Sequence, residues 1–85
     1  MAYRIEYRPA FERAFRKLPA EVQSRVAPKI SALADNPRPH GCVKMAGPED
    51  LYRLRVGEYR IIYEIHDEVL VVLVIRIGHR REVYR

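Results

Sequence analysis

Two runs of alternating residues, Leu51-Tyr52-Arg53-Leu54-Arg55-Val56 and Tyr59-Arg60-Ile61-Ile62-Tyr63-Glu64-Ile65-His66, flank the dipeptide Gly57-Glu58. Alternation is the pattern of a strand with two unlike faces, and two residues between such runs make a tight hairpin loop. A loop this short leaves one register, in which Val56 faces Tyr59, Arg55 pairs with Arg60, Leu54 with Ile61, Arg53 with Ile62 and Tyr52 with Tyr63. One face of the ribbon then holds Tyr52, Leu54, Val56, Tyr59, Ile61, Tyr63 and Ile65, an apolar surface awaiting a partner. The other gathers Arg53, Arg55 and Arg60 on an exposed face, with two arginines directly opposite one another. Like charges in that position destabilise a sheet by some tenths of a kcal/mol. An anion between them removes the repulsion; the alternative is that the guanidiniums splay into water or pair with Glu64 or Glu58.

The rest of the chain supplies what covers the apolar face. Tyr3, Ile5 and Tyr7 alternate with Arg4, Glu6 and Arg8, a first strand that should end at Pro9. Phe11, Phe15 and Leu18 then share one face of a short helix. Pro19 opens a second helix, whose apolar stripe is Val22, Val26, Ile30 and Leu33 and which stops at Asp35-Asn36-Pro37. Pro28 falls inside it and should kink it or break it into two pieces. After the loop Pro37 to Gly41 comes a weak strand, Cys42 to Met45, and after the arginine hairpin a last strand, Val69 to Ile77. That strand is apolar on both faces and belongs inside the sheet. The expected fold is α+β in the order β-α-α-β-β-β: an N-terminal strand, a helical hairpin, then a mostly antiparallel sheet with the helices on one face. Residues 1–85 are expected to form one domain.

Composition narrows the function. With 48% apolar and 32% charged residues the chain is that of a folded globular protein, and its longest apolar run, the seven residues Val69 to Ile75, is far short of a membrane span. The single Cys42 cannot form an intramolecular disulfide, and Met1 to Glu6 carries charges where a signal peptide needs an apolar stretch, so the cytoplasm is expected. Of 16 basic residues 13 are arginine, and the net charge is +5. Arginine is the side chain for forked recognition of phosphate, so the bias favours an anionic partner, nucleic acid first, over a merely solubilising surface. His40 and Cys42 offer two metal ligands with no second pair to complete a site, and neither a phosphate-cradling glycine loop nor a serine nucleophile elbow is present. No metal or cofactor is expected. His66 and His79 stand at opposite ends of the last strand, which argues against a paired-imidazole ribonuclease. Beyond it, Arg80, Arg81 and Tyr84 add charge and a phenol. Whether Arg76 and Arg80 join the arginine face depends on the His66 to Val69 turn, and Tyr84 is either a packing residue or a phenol presented at the site.

The segments Leu51-Tyr52-Arg53-Leu54-Arg55-Val56-Gly57-Glu58-Tyr59-Arg60-Ile61-Ile62-Tyr63 and Ile75-Arg76-Ile77-Gly78-His79-Arg80-Arg81-Glu82-Val83-Tyr84 resemble the RelE branch of the RelE/ParE toxin superfamily, found in type II toxin-antitoxin modules. The resemblance covers nearly the whole chain. It implies a metal-independent endoribonuclease, an mRNA interferase that enters the ribosomal A site, cuts messenger RNA and so stops translation. A cognate antitoxin would hold it inactive in a hetero-oligomer, with no membrane involved. Carried over by position, Arg60 and Arg80 match the family's active-site arginines and Tyr84 its C-terminal tyrosine. Arg53 and Arg55 stand where well-studied members have lysines; Arg55 joins the catalytic set, and Arg53, Lys44 and Arg81 would hold the RNA backbone. Ala46 stands where those members have a further arginine, and the chain ends at Arg85, short of the C-terminal helix many members carry. The alternative is a ParE-like gyrase inhibitor or a non-catalytic module that binds antitoxin or nucleic acid.

Overall fold

The computed structural model describes residues 2–47 and 50–79. Its elements are β1 (Arg4–Tyr7), α1 (Pro9–Arg16), α2 (Ala20–Ala32), β2 (Val43–Lys44), β3 (Leu51–Val56), β4 (Tyr59–His66) and β5 (Val71–His79). The five strands form one sheet in the order β1-β5-β4-β3-β2. β1 runs parallel to β5 and every other pairing is antiparallel. The α+β architecture expected from the sequence is therefore present, with four strands after the helices where the order β-α-α-β-β-β counted three and with the weak Cys42 to Met45 segment reduced to two residues. β5, apolar on both faces, lies between β1 and β4. It starts two residues later than its apolar run because Leu70 sits at φ 54°, a left-handed conformation that belongs to the turn and cannot continue a strand.

Both helices cover the face carrying Tyr52, Leu54, Val56, Ile61, Tyr63 and Ile65, and with Val72, Val74 and Ile77 these close one core around Phe11, Val22, Val26, Ile30 and Leu33. Pro9 occupies the first turn of α1, where a missing N–H costs nothing, and Tyr7, Phe11 and Phe15 stack in a ladder with ring centroids 5.4 and 5.6 Å apart. The helices meet through Gln23, whose amide Nε2 donates to the carbonyls of Phe15 and Leu18, both at 3.0 Å; the Phe15 carbonyl also accepts from the Leu18 N–H at 3.1 Å. Of the kink or break expected at Pro28, the break is absent, because α2 continues through it as a single element. Pro28 and Ser24, whose carbonyl loses its donor, are both exposed, so water can take the missing bond. None of the described helices is long and apolar enough to cross a bilayer.

A polar clamp ties three distant segments at one end of the sheet. Asp67, in the β4–β5 turn, accepts from Tyr3 Oη at 2.6 Å and from both terminal nitrogens of Arg38, at 2.8 and 3.3 Å. The Arg38 Nε donates to Tyr52 Oη at 3.2 Å, and its guanidinium lies 5.3 Å from the Tyr52 ring centre. Tyr63, fully buried and stacked on Tyr52 at 5.9 Å, donates to the carbonyl of Pro37 at 2.8 Å, and burial pushes its phenol pKa up. The loop after α2 is thus fixed to the sheet before the chain enters β2.

The hydrogen bonds from Arg38 and Tyr3 hold the Asp67 carboxyl down at about 2. A carboxylate whose folded pKa lies below its unfolded value stabilises the fold above the unfolded pKa, near 3.8, and loses that contribution as pH falls towards 2. Asp67→Asn should therefore be less stable than the parent protein in urea melts at pH 7, and the gap should close between about pH 4 and 2. A gap that stays constant over that range would show that the clamp does not depend on the charge.

Candidate active site

The loop between β3 and β4 places its positive φ on Gly57 alone, at 59°, which is the requirement of a type II′ hairpin and a conformation that side chains resist. The strands pair in the register that such a loop dictates, with Arg55 opposite Arg60 and Arg53 opposite Ile62. Extended across β4 to β5, two rows form on the face away from the helices: Arg55, Arg60, Gly78, and beside it Arg53, Ile62, Arg76.

Arg76 reaches that face through a β-bulge. Val72 and Val74 point to the helices opposite Ile65 and Tyr63, and simple alternation would put Arg76 in the core next. The register shifts instead between Ile62 and Tyr63: Tyr63 pairs with Val74 but Ile62 with Arg76, leaving Ile75 as the extra residue. One extra residue reverses the alternation. Ile77 enters the core at 5% exposure while Arg76 comes out to solvent. The question the sequence left open for Arg76 is thus settled by the bulge. Its trace in the sequence is an apolar period that skips from Val74 to Ile77.

The expected exposed arginine face is not uniform. Arg55 is exposed and Arg53 half-buried, but Arg60 is only 5% exposed, with Nε and Nη1 enclosed. The cause is topological. β4 is flanked on both sides along its length, whereas the β2 partner of β3 ends at Val43 opposite Arg53, so among the described residues no strand pairs outside Arg55. Lys44 pairs with Tyr52, which puts it on the helix-side register and away from the arginine rows, in a 3.6 Å ion pair with Asp50. Glu64, one of the partners the sequence offers the guanidiniums, instead holds His66, Oε1 to Nε2 at 2.8 Å. His79 packs edge-on against Tyr59 at 5.8 Å, at the end of β5 remote from His66, so the two imidazoles do not meet. Arg80, Arg81 and Tyr84 lie outside the described residues. Among the described residues no cluster of three or more His, Cys, Asp or Glu could hold a metal ion.

Arg55 at the sheet edge and the largely enclosed Arg60 pair across the strands, with Arg53 and Arg76 in the adjacent row. Forked donors on one face are the groups that can engage a tetrahedral anion and favour charge building up on its oxygens.

The sheet, its helical cover and its arginine rows define a small α+β domain with a cationic face. Residues 5–84 match the family model described as "ParE toxin of type II toxin-antitoxin system, parDE", and the chain belongs to the RelE/ParE toxin superfamily. Among its relatives, the mRNA interferase toxin RelE of Escherichia coli is 34% identical over 88 residues, covering 99% of this chain and 92% of that protein. A putative RelE-like toxin protein, also of Escherichia coli, is 30% identical over 82 residues, covering 94% and 85% respectively. Among solved structures, a chain of the archaeal RelE-RelB complex from Pyrococcus horikoshii superposes with a TM-score of 0.86 at 28% identity, covering 96% of this chain and 99% of that one. The intact RelBE toxin-antitoxin complex of Escherichia coli gives 0.81 at 29% identity, with coverage of 92% and 96%.

The unequal burial of the facing arginines has a direct consequence for stability. Arg55→Ala should melt within a few degrees of the parent protein, as exposed substitutions do. Arg60→Ala removes an enclosed side chain, and a loss of about 1 to 2 kcal/mol lowers the melting temperature of a chain this size by roughly 5 to 15 °C. Calorimetry of the two variants checks the contrast; equal melting temperatures would place both side chains in the same environment.

Proposed function

We propose that this toxin is a ribosome-dependent endoribonuclease that cuts messenger RNA in the ribosomal A site and is neutralised by a cognate antitoxin. The observation that carries the reading is the facing pair Arg55 and Arg60 on a rigid sheet, flanked by Arg53 and Arg76, in a chain whose relatives include an mRNA interferase. The antitoxin partner is supported by the RelE-RelB complexes among the structural neighbours.

In the proposed reaction the ribose 2′-oxygen attacks the adjacent phosphorus as its proton is removed. The bond from phosphorus to the 5′-oxygen breaks, that oxygen takes up a proton, and a 2′,3′-cyclic phosphate remains. Arg60, Arg55 and Arg80 stabilise the negative charge that grows on the non-bridging oxygens, each preorganised donor being worth about 3 kcal/mol in comparable sites. Arginine stays protonated and is a poor base, so Tyr84 is assigned the proton transfer, as general base or general acid. Arg53, Lys44 and Arg81 hold the flanking backbone, Lys44 from the far side of the sheet edge. Nothing in this set calls on a divalent ion. The toxin supplies charge stabilisation more fully than proton transfer, so dependence on a ribosome that presents the scissile phosphate in line follows naturally.

The competing outcome is the alternative the sequence leaves open, inhibition of gyrase. Induced expression should arrest translation first, and primer extension on a translated message should show cuts confined to the A-site codon. Arg60→Lys, which keeps the charge and loses the fork, should reduce those cuts at least ~10-fold, and Tyr84→Phe should weaken them while antitoxin binding persists. Intact messages together with gyrase trapped on broken DNA would replace the ribonuclease reading with the gyrase one.

A further inference from the structure

Beside the arginine rows, at the outer edge of β3, lies a concavity of about 390 Å³ that shares Arg53 and Arg55 with the proposed cleavage site and adds residues the cleavage does not use. Its lining brings together Lys29 from α2, His40 from the loop before β2, and Arg53 and Arg55 from β3. Gly41, at φ 94°, turns the chain just before β2, whose pairing with β3 reaches no further than Val43 opposite Arg53. Among the described residues no strand pairs with the outer edge of β3 at Leu54 and Arg55, and the cleft opens there. Among the described residues, no acidic one lines it.

We propose that this cleft is a second phosphate subsite, which holds the RNA backbone next to the phosphate engaged at Arg55 and Arg60. The inference rests on the ribonuclease reading and extends it to two residues, Lys29 and His40, that the sequence pattern does not connect with the site. Three features favour a polynucleotide. Arg55 belongs to both places, as a wall of the cleft and as the cross-strand neighbour of Arg60, so one continuous anion with repeating charges can occupy them together. The basic side chains Lys29, His40, Arg53 and Arg55 converge on one concavity from three separate elements, and a cleft lined by one sign of charge concentrates anions. The apolar part of the lining is Val43 and Leu54, without the aromatic anchors that give a protein partner its binding energy. The groove between the helices, lined by Tyr7, Phe11, Phe15 and Ile30, has those anchors instead.

Lys29 and His40 are both exposed, so Lys29→Ala/His40→Ala should fold as the parent protein does. The test measures fluorescence anisotropy of labelled oligouridylates of three and eight nucleotides with purified toxin, over a salt series, alongside binding of the antitoxin. For the octamer, the double variant should lose about tenfold in affinity, and the slope of log K against log salt should fall by about 0.7 per phosphate contact removed. Binding of the trimer and of the antitoxin should stay unchanged. Octamer affinity and salt slope equal to those of the parent would overturn the subsite, while loss of Arg60→Lys cleavage in parallel would leave the ribonuclease reading standing. Loss of antitoxin affinity with RNA binding intact would assign the cleft to an acidic protein segment and equally overturn it. A parent toxin that binds neither oligonucleotide and leaves messages whole would remove the subsite and the ribonuclease reading together.

Discussion

The arrangement of the whole face depends on the two-residue turn at Gly57 and Glu58. A hairpin loop of that length admits one register, and a slip by a single residue would exchange the two faces of the ribbon. The core has far more at stake in this than the arginines do. Each Leu, Ile or Val taken out of water is worth about 1.5 to 3 kcal/mol, and Leu54, Val56, Ile61 and Ile65 are all buried by the register observed. The repulsion between Arg55 and Arg60 is some tenths of a kcal/mol. The apolar face therefore dictates where the guanidiniums go, and an unfavourable pairing is held in place by a favourable one on the other side of the same two strands.

The same logic operates once more on β5, in the opposite sense. There an extra residue, Ile75, breaks the alternation so that Ile77 and not Arg76 meets the helices. Burying a charged guanidinium in that core would cost several kcal/mol, whereas a bulge costs the local ladder one unpaired residue. The displaced Arg76 lands in the row of Arg53. Two independent devices, a turn and a bulge, thus converge on one cationic face, and both are driven from the core.

Local rules made the turn legible in the sequence: a glycine where positive φ is needed and strict alternation on either side determine every pair from Val56–Tyr59 to Tyr52–Tyr63. The helices were legible for the same reason, through Phe11 and the stripe from Val22 to Leu33. What escaped depends on neighbours distant in sequence. The burial of Arg60 follows from the strand order, which places it between β3 and β5, and the openness of Arg55 follows from where β2 stops. The uninterrupted α2 follows from Pro28 facing water. The clamp of Asp67 with Tyr3 and Arg38 joins residues from three segments and has no local signature. Lys29 and His40 belong to a helix and a loop that meet β3 only in the folded chain, so no spacing rule connects them with Arg55.

The distribution of carboxylates gives the face its direction. Glu6 pairs with Arg4, Asp50 with Lys44, Glu64 with His66 and Asp67 with Arg38. Each of these acids engages a cation outside the rows formed by Arg53, Arg55, Arg60 and Arg76, while the chain as a whole carries +5. On the proposed reading an external anion complements Arg55 and Arg76, the exposed members of those rows, and a ribose-phosphate backbone and an acidic segment of an antitoxin would bring the same charge to them. Binding of one raises the electrostatic and steric cost of the other at a site that cannot widen, because the core fixes its strands. On the proposed reading, inhibition by an antitoxin needs no change of shape in the toxin; occupation of the arginine face is sufficient.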